Sequence, residues 1–518
     1  MNTKAIPYRD HLILPADPRL DTLIPHAKKV THNGQDVVIV PHKVDETAVL
    51  RNLGYDVRPP VMMSYDWCGS VPFDAQRITT ALITMNPRCY VLNGIGTGKT
   101  RSLLFAFDYL KKQGKVNKML VTAPLSTLRQ TWEKEVLMIF PHLKVEVLHG
   151  SKAKRLAALE READIYVINH DGLKVIYQEL CARSDIDMLG LDELSVYKNK
   201  QTDLWKFANE FAKRCQRVVG LTATPMPTAP TDAFGQLRMI TPNTAPTTFG
   251  RFRDDTMLKI NQFKFVARKD AVDKVFKLMQ PSVRFTRDDC YDLPPCQYVT
   301  EEVALSEEQR KLYAKVASEC ASAIGNGEVK AVNEADRINK LTQIALGTVY
   351  DTERNAVELD CKPRLAVLDQ LIERSDSKVI VFTPYKSSLR KLYEHISKRW
   401  PCATISGDTS TGERERIFTR FMHSDDPHVI VAHPATMSHG LTLTAASTIV
   451  WYGPPLSLEM YEQANGRITR AGQRHAQLIC HIAATKLEQK IYKRLQDRAQ
   501  TQGVLLDMFE SQEIGELL

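Results

Sequence analysis

Short runs of β-branched and other apolar residues alternate, from about residue 75 to 235, with longer stretches in which apolar residues recur every three or four positions. The stretch STLRQTWEKEVLMIF, for example, places Leu128, Trp132 and Val136 on one helical face. Alternation of this kind predicts a parallel sheet covered by helices on both faces, with ligand-binding residues at the carboxyl ends of its strands. The six predicted strands are CYVLN (89–93), KMLVTAP (118–124), VEVLHG (145–150), DIYVINH (164–170), MLGLDE (188–193) and RVVGLTATP (217–225).

The alternation starts again near residue 378 and predicts a second parallel sheet. Its strands are KVIVFTPY (378–385), CATISG (402–407), HVIVAHP (428–434), TIVWYG (448–453) and LICHIAA (478–484). The region between the two series has helical character, and Ser306 with Gln309 forms a predicted capping box there. We therefore predict an α/β fold with at least two domains, which suits a chain of 518 residues because one core would be too small for it.

The segment RCYVLNGIGTGKTRSLLFAFDYL (88–110) reads as a strand, a glycine-bearing turn and a helix. Backbone N–H groups and the helix dipole bind phosphate at such a turn, with Lys99 on the β- and γ-phosphates and the Thr100 hydroxyl on Mg²⁺. The usual sequence pattern of a phosphate-binding loop, G-x-x-x-x-G-K-[ST], has a glycine where this chain has Asn93. Because that residue only begins the loop, an asparagine is acceptable if its dihedral angles permit, and the segment predicts a nucleotide site.

Two further segments supply what a phosphate loop requires. The strand end MLGLDEL offers Asp192 to hold the metal ion and Glu193 as the general base for the attacking water. In YEQANGRITRAGQ (461–473), the spacing of Gln463, Arg467 and Arg470 places them on one face if the segment is helical. Two arginines directed at the γ-phosphate would neutralise transition-state charge.

Composition narrows the class of protein. With 43% hydrophobic and 25% charged residues, the chain is typical of soluble globular proteins, and no apolar run reaches the ~20 residues of a membrane span. The ten cysteines are scattered without a C-x-x-C pair, which argues against disulfide frameworks and zinc sites and fits a reducing, cytoplasmic compartment. The formal charge of +8 is compatible with a polyanionic partner without establishing one.

Taken together, these segments resemble helicase superfamily two and, within it, the Swi/Snf-like DNA translocase ATPases, over residues 72–510. The similarity to the branch carried by bacteriophages and prophages is strongest in HPATMSHGLTL (433–443) and the segment that follows it. The matching segments are PFDAQ (72–76, Q motif), NGIGTGKT (93–100, motif I), APLSTLRQTWEKE (123–135, Ia), INHDGL (168–173), LTATP (221–225, III), VFTPY (381–385, IV), HGLTL (439–443, V) and QANGRITRAGQ (463–473, VI).

The resemblance implies two tandem RecA-like P-loop domains with helical insertions and a small N-terminal region. The implied division is 1–60 for an N-terminal region of unknown role, 61–235 for the first RecA-like lobe, 236–361 for helical protrusions and a linker, 362–485 for the second lobe, and 486–518 for a C-terminal brace helix and tail. The brace helix carries an apolar stripe of Leu487, Ile491 and Leu495 that predicts packing against the lobes.

The resemblance also assigns site residues. It implies that Gln76 reads the adenine base and that the remaining ATP-binding residues are Gly94, Gly96, Thr97, Gly98, Lys99, Thr100 and Gly440. Candidates for binding the nucleic-acid backbone are Ser126, Thr127, Asn169, His170, Thr383, Ser438 and Thr442, with an ordinary capping or turn role as an equal alternative for each. Two departures, Ser195 in motif II and Thr442 in motif V, bear on coupling more than on hydrolysis.

The predicted activity is that of a motor that hydrolyses ATP with Mg²⁺ and translocates on double-stranded DNA. A strand-separating DNA or RNA helicase is the alternative, and an inactive nucleic-acid-binding scaffold is a third reading. Double-stranded DNA is the expected partner, with single-stranded DNA or RNA as possible partners. The expected location is the cytoplasm, or the host cytoplasm if the protein is phage-encoded. The sequence predicts no membrane contact and identifies no protein partner.

Overall fold

A computed structural model of the chain describes residues 5–8, 10–32, 34–69, 71–260, 265–287, 289–290, 294–325, 331–350, 356–437, 443–470 and 472–497. The chain divides into two compact units, Met1–Tyr291 and Asp292–Leu518. Among the described residues, no helix has both the length and the apolar character that crossing a bilayer requires.

The first unit begins with a small antiparallel sheet in the strand order β1-β2-β4-β3. Alternate residues of its two central strands, among them Leu12, Leu14, Val38 and Val40, are buried with Leu50 in a core of their own. The elements are β1 (Ile6–Tyr8), β2 (His11–Pro15), α1 (Pro18–Leu23), β3 (Lys28–His32), β4 (Gln35–Pro41) and α2 (Val44–Asn52).

A parallel sheet in the order β13-β5-β10-β9-β6-β8-β7 forms the centre of the first unit. Its strands are β5 (Arg88–Val91), β6 (Lys118–Ala123), β7 (Val145–Leu148), β8 (Ile165–Asn169), β9 (Ile186–Asp192), β10 (Arg217–Leu221) and β13 (Ser282–Val283), while β11 (Met257–Lys259) and β12 (Phe265–Ala267) form a separate antiparallel ribbon. The helices are α3 (Val61–Ser64), α4 (Asp74–Met85), α5 (Lys99–Lys112), α6 (Lys134–Ile139), α7 (Lys152–Leu159), α8 (Gly172–Val175), α9 (Tyr177–Ala182), α10 (Asp203–Arg214), α11 (Ala233–Ile240), α12 (Phe249–Thr256) and α13 (Ala271–Leu278).

Both faces of this sheet are buried, as the alternation of strands and helices predicts. Leu120 of β6 packs with Tyr166 in one core, whereas Met119 and Val121 of the same strand pack with Trp132 in the other. Each of the six predicted runs forms a strand, so the prediction of a parallel, doubly covered sheet is confirmed.

The second unit contains a second parallel sheet, in the order β14-β21-β20-β17-β19-β18. Its strands are β14 (Cys296–Glu302), β17 (Lys378–Phe382), β18 (Cys402–Ile405), β19 (Val429–Ala432), β20 (Ala446–Trp451) and β21 (Gln477–Ala483), and a small ribbon is formed by β15 (Thr348–Tyr350) and β16 (Ala356–Glu358). The helices are α14 (Glu307–Gly325), α15 (Ala331–Ala345), α16 (Lys362–Glu373), α17 (Lys386–Ile396), α18 (Thr411–His423), α19 (Leu458–Asn465) and α20 (Lys486–Gln496). All five predicted runs form strands here.

Two local features predicted from the sequence, a capping box and an apolar helix stripe, are present in the second unit. The backbone N–H of Ser306 donates to Gln309 Oε1 at 3.1 Å and the N–H of Gln309 donates to Ser306 Oγ at 3.2 Å, which confirms the capping box at the start of α14. Leu487, Ile491 and Leu495 of α20 are buried in the core of this unit, as their stripe predicts.

Each sheet also has an edge strand that the hydrophobic pattern does not predict. Both strands come from the interval 236–361, for which helical protrusions and a linker are predicted. The first, β13, pairs with β5 over only two residues, and the second, β14, pairs with β21 but is largely exposed. A strand that is short or solvated shows no run of apolar residues, so periodicity cannot reveal it.

The edge strand β13 leads into a segment that holds the glycine-bearing loop. The side chain of Asn93 is buried, with Nδ2 donating to Thr79 Oγ1 at 2.9 Å and Oδ1 accepting from the N–H of Phe285 at 3.0 Å. The N–H of Gly94 donates to the carbonyl of Phe285 at 2.8 Å. Asn93 therefore joins the start of the loop to α4 and to the chain after β13, a role that glycine could not perform.

A buried ion pair organises the second unit. Arg364 of α16 and Glu488 of α20 lie 2.6 Å apart with side chains only 2% and 1% exposed. The guanidinium group also donates to the carbonyls of Ala345, Tyr452 and Ile482 at 3.1, 3.0 and 2.6 Å. These bonds link α16 and α20 to the end of α15 and to the ends of β20 and β21, so α20 is held by charge as well as by apolar contact.

Replacing Glu488 by alanine should lower the free energy of unfolding of the second unit by about 3–5 kcal/mol, because it leaves a buried guanidinium charge without its partner. Urea denaturation followed by tryptophan fluorescence measures the change. Glu373→Ala is the control, since Glu373 is 65% exposed and pairs with Arg399 at the surface, where an ion pair contributes about 0–1 kcal/mol. Equal effects of the two substitutions would contradict the importance of the buried pair.

Asn93→Gly restores the glycine of the usual phosphate-loop pattern. We nevertheless expect the substitution to lower the free energy of unfolding of the first unit. The substitution removes two side-chain hydrogen bonds and leaves the N–H of Phe285 without an acceptor, at a cost of about 1–3 kcal/mol. The measurement is again chemical denaturation. In Asn199→Gly the lost side chain is exposed, so a markedly smaller effect is expected for it. A variant of unchanged or greater stability at position 93 would refute this role.

Candidate functional site

Three strands of the first sheet end side by side. In the parallel register, Leu221 of β10 lies opposite Val91 of β5 on one side and opposite Asp192 of β9 on the other. The chain segments that follow these residues therefore start from one edge of the sheet. They are the segments predicted to form the phosphate loop, the metal-binding strand end and motif III.

The loop after β5 has the backbone that a phosphate-binding turn requires. Gly96 and Gly98 have φ angles of 84° and 79°, in the left-handed region that favours glycine. A Cβ atom at Gly98 would lie 1.9 Å from Nε2 of Gln76, so the position also lacks space for a side chain. Gln76, predicted from the sequence as the adenine-reading residue, thus lies directly against the loop, and its Oε1 accepts from the N–H of Phe73 at 3.0 Å.

Lys99 and Thr100 occupy the first turn of α5, immediately after the glycines. The Lys99 ammonium group donates to the carbonyls of Asn93 and Gly94, both at 2.9 Å. The Thr97 hydroxyl, also predicted as part of the site, donates to the carbonyl of Gly94 at 2.8 Å and is buried. Hydrogen bonds from the side chains of Thr97 and Lys99 therefore close the loop at the N-terminal end of α5.

Asp192 stands at the end of β9 close to Lys99. Burial raises the pKa of its carboxyl group, while the Trp132 indole N–H, which donates to Oδ2 at 3.0 Å, and the Lys99 ammonium charge oppose that rise. Among the described residues, the Thr100 hydroxyl has no hydrogen-bond partner. A carboxylate and a hydroxyl are oxygen ligands of the kind that Mg²⁺ prefers, so Asp192 and Thr100 fit the metal role predicted for them.

Glu193 has an unusual backbone. With φ at 53°, it is the only described residue other than glycine that has a positive φ. The following turn packs beneath the sheet, because a Cβ at Gly220 would lie 2.5 Å from Leu194 Cδ2. Strain of this kind clusters at functional sites, and here it turns the chain sharply between the carboxylates of Asp192 and Glu193.

His170, a predicted candidate for binding the nucleic-acid backbone, is buried in a polar chain with Tyr197 and Thr122, two residues to which the sequence assigned no role. Tyr197 donates its hydroxyl hydrogen to Thr122 Oγ1 at 2.9 Å, and His170 Nδ1 lies 3.0 Å from the same hydroxyl. Trp132 was also predicted only as a core residue. An indole N–H on an otherwise apolar helix face was the one available signal, since a buried indole normally requires an acceptor.

The candidates for binding the nucleic-acid backbone lie at strand ends, in different environments. Ser126 is exposed, whereas Thr127 is buried and donates to the carbonyl of Pro124 at 2.9 Å. Asn169 Oδ1 accepts from Arg155 Nη2 at 3.0 Å, and Thr383, in the second unit, is fully buried. Ser438, Gly440 and Thr442 lie outside the described residues. Ser126 therefore has the most accessible hydroxyl among the described candidates of the first unit.

In the second unit, the predicted arginine-bearing segment is not a continuous helix. Gln463 lies in α19, but this helix ends at Asn465 with Gly466 as its cap, so Arg467 and Arg470 lie in the turn beyond it. Arg467 is 1% exposed, whereas Arg470 is partly exposed and donates through Nε to the carbonyl of Gly466 at 2.9 Å. The expectation that the three side chains share one helical face is wrong, because the chain leaves the helix at Gly466.

Neighbouring strands hold this turn in place. The Trp451 indole donates to Asn465 Oδ1 at 2.9 Å, and the Tyr461 hydroxyl is hydrogen-bonded to His481 Nε2 at 2.8 Å. Burial lowers the pKa of His481 to about 3, so the imidazole is neutral at ordinary pH. Gln473 Nε2 donates to the carbonyl of Ala446 at 2.8 Å and thereby fixes the end of the turn on β20.

Comparison with known proteins found relatives over most of the chain. The chain is 26% identical over 449 residues to protein p41 of Acyrthosiphon pisum secondary endosymbiont phage 1, covering 81% of this chain and 94% of that protein. It is 24% identical to the Xenopus laevis SWI/SNF-related matrix-associated actin-dependent regulator of chromatin subfamily A-like protein 1 over 80% of this chain, but spans only 42% of that longer protein. The solved Sulfolobus solfataricus SWI2/SNF2 ATPase core in complex with dsDNA is similar at 19% identity and a TM-score of 0.41, with 88% of this chain and 99% of that chain covered.

Two family models match successive parts of the chain. The SNF2-related domain matches residues 83–346, more than half of the chain, and the helicase conserved C-terminal domain matches residues 363–472. The first match includes the glycine-bearing loop and the strand end with Asp192, and the second includes Arg467 and Arg470. The resemblance stated from the motifs is thus confirmed, and the chain belongs to the SNF2-related family of helicase-like ATPases.

Proposed function

We propose that the protein hydrolyses ATP to move along double-stranded DNA. The observation that carries the ATPase part is the meeting of Lys99, Asp192 and the two left-handed glycines at one edge of the first sheet. Membership of the SNF2-related family supports the same activity. In this proposal Gln76, which lies against Gly98, positions the adenine base.

Hydrolysis follows from the chemistry of these side chains. The Lys99 ammonium group and the N–H groups of the glycine-bearing loop bind the triphosphate and orient its terminal phosphate. A magnesium ion held by Asp192 and Thr100 would supply positive charge to the phosphate oxygens. The Glu193 carboxylate, on the residue directly after Asp192 in the chain, accepts the proton of the attacking water.

We assign Arg470 to the transition-state charge on the γ-phosphate, with Arg467 as the residue that orders the same turn. The assignment rests on exposure: Arg467 is buried, with its carbonyl accepting from the N–H of Leu443 at 3.0 Å, whereas Arg470 is partly exposed. Gln463 donates to Glu459 Oε1 at 3.1 Å within α19 and belongs to the same segment.

The proposal that the protein moves along duplex DNA rests on the names of its relatives. The Xenopus laevis protein is named a regulator of chromatin, and the Saccharomyces cerevisiae relative ISW1 is named a chromatin-remodeling complex ATPase. Exposed Ser126 at the end of β6 is suited to hydrogen-bonding a phosphate, which would position the duplex without reading its sequence. Strand separation on DNA or RNA is the competing activity, because a relative from Mycoplasma genitalium is named an ATP-dependent helicase.

ATP turnover should rise strongly with duplex DNA and less with single-stranded DNA or RNA. Phosphate release is measured with each nucleic acid and without any, beside a strand-displacement assay on a partial duplex. Lys99→Ala and Glu193→Gln should abolish turnover under every condition while the chain remains folded by circular dichroism. Displacement of a paired strand would favour the helicase, and wild-type turnover by either variant would refute the site.

Arg470→Ala should lower kcat by about 10³-fold or more with little change in nucleotide affinity, because an arginine of this kind acts mainly in the transition state. Arg474→Ala is the matched control: Arg474 lies four residues later, is exposed, and has no side-chain hydrogen bond among the described residues. Nucleotide binding and single-turnover hydrolysis are measured separately. Equal turnover by the two variants would remove Arg470 from the mechanism.

A further inference from the structure

Positive charge is concentrated in one part of the first unit. Residues 249–287 contain ten lysines and arginines against four aspartates, a net formal charge of +6 in a chain whose total is +8. The segment includes α12, the ribbon of β11 and β12, α13 and the edge strand β13. Neither the phosphate loop nor the strand-end motifs lie within it, so the site described above does not account for this charge.

Some of these cations have a structural role. Lys274 donates to the carbonyl of Asp255 at 3.1 Å, and Arg268 donates through Nε to the carbonyls of Asp254 and Met257 at 3.1 and 3.3 Å. The guanidinium group of Arg253 lies 4.6 Å from the ring centroid of Phe265. These three side chains hold the segment together. Two of them bond backbone carbonyls at the end of α12, and the contacts join this helix to the ribbon and to α13.

The remaining described cations are different. Five of them are exposed and form no ion pair with a carboxylate among the described residues. Each lies within a few residues of one of the three structural cations or of β13. They are Arg251, Lys259, Lys269, Lys277 and Arg284. Unpaired positive charges at this density repel one another. A polyanion relieves that repulsion when it binds, because the cations of the protein replace the counterions condensed on the polyanion.

The ribbon adds an exposed apolar face beside this charge. Leu258 and Val266 are directly paired across β11 and β12, so they lie on the same face, and they are 44% and 45% exposed. Lys259 is paired with Phe265 on the opposite face, next to Arg253. A two-stranded ribbon with basic and apolar side chains has the width that a DNA groove accepts.

From these observations we infer that the segment formed by α12, β11, β12 and α13 is a second DNA-binding surface, which binds the phosphate backbone of a duplex through Arg251, Lys259, Lys269 and Lys277. The inference rests on the proposed DNA-dependent ATPase and adds a contact outside its strand-end motifs. Charge complementarity selects the occupant, because duplex DNA carries one negative charge per ~1.7 Å of its axis and so meets several separated cations at once. An acidic protein partner would match a cluster of cations only through a particular arrangement of carboxylates.

The test compares two full-length variants with the same change in net charge. The first is Arg251→Gln, Lys259→Gln, Lys269→Gln and Lys277→Gln combined. The control combines Lys206→Gln, Lys213→Gln, Lys315→Gln and Lys398→Gln, four exposed lysines on α10, α14 and the chain after α17. Binding of a fluorescent blunt duplex is followed by anisotropy over a series of salt concentrations, and ATP turnover is measured with and without the duplex.

For the surface variant we expect at least a tenfold weaker affinity for the duplex at near-physiological salt, with turnover in the absence of DNA unchanged. The slope of log affinity against log salt should become shallower by about 3.6, which corresponds to ~0.9 for each lost phosphate contact. The control should behave like the wild type in both measurements. The double variant Lys259→Gln with Lys269→Gln changes no helical residue and should show about half of the change in slope, so the test survives if the quadruple variant does not fold.

The outcomes separate this inference from the proposed function. A wild-type protein that neither binds the duplex nor is stimulated by it would overturn the proposed function. A wild-type protein that is stimulated, with surface and control variants of equal affinity and equal salt slope, would overturn only the second binding surface. Weakened binding in the surface variant with an unchanged salt slope would also overturn it, because phosphate contacts would then not be the cause.

Discussion

Val91, Leu221 and Asp192 lie side by side because β5, β10 and β9 are parallel and in register. In a parallel sheet every strand ends at the same edge, so the groups that follow these three residues meet although they are far apart in the chain. The Lys99 ammonium group, the Asp192 carboxylate and the turn of motif III are brought together in this way. A shift of the register by one residue would move Asp192 away from the loop and expose one face of β9 to the wrong core.

Buried polar groups maintain this arrangement. Asn93, Thr79 and the backbone of Phe285 hold the loop at its beginning, and Trp132 holds the Asp192 carboxylate at the other side of the edge. In the second unit, the Arg364–Glu488 pair performs a comparable task for the ends of β20 and β21. Each of these groups would destabilise the fold if it lost its partner, because an unpaired polar group away from water costs more than a paired one contributes. The same bonds therefore specify where the reactive groups lie.

The two units differ in how their polar site residues are presented. In the first unit they follow directly from strand ends and the first turn of α5, so the elements themselves aim them. In the second unit Arg467 and Arg470 lie in an irregular turn, whose position depends on contacts with Trp451, Gln473 and α19. Helical spacing was a poor guide there because the helix ends at Asn465, only two residues after Gln463. Side chains on a turn are placed by what surrounds the turn.

The sequence by itself determined the two parallel sheets, the eleven runs that form all of their strands except β13 and β14, the glycine-bearing loop with Lys99 and the strand end with Asp192. These features are local, since apolar periodicity and the conformational freedom of Gly96 and Gly98 are written within a few residues of where they act. Only the tertiary structure decided the edge strands β13 and β14, the bonds of Asn93 to Thr79 and Phe285, and the turn of Arg467 and Arg470. Those features pair residues that are distant in the chain, so their free energy depends on neighbours that no local pattern reveals.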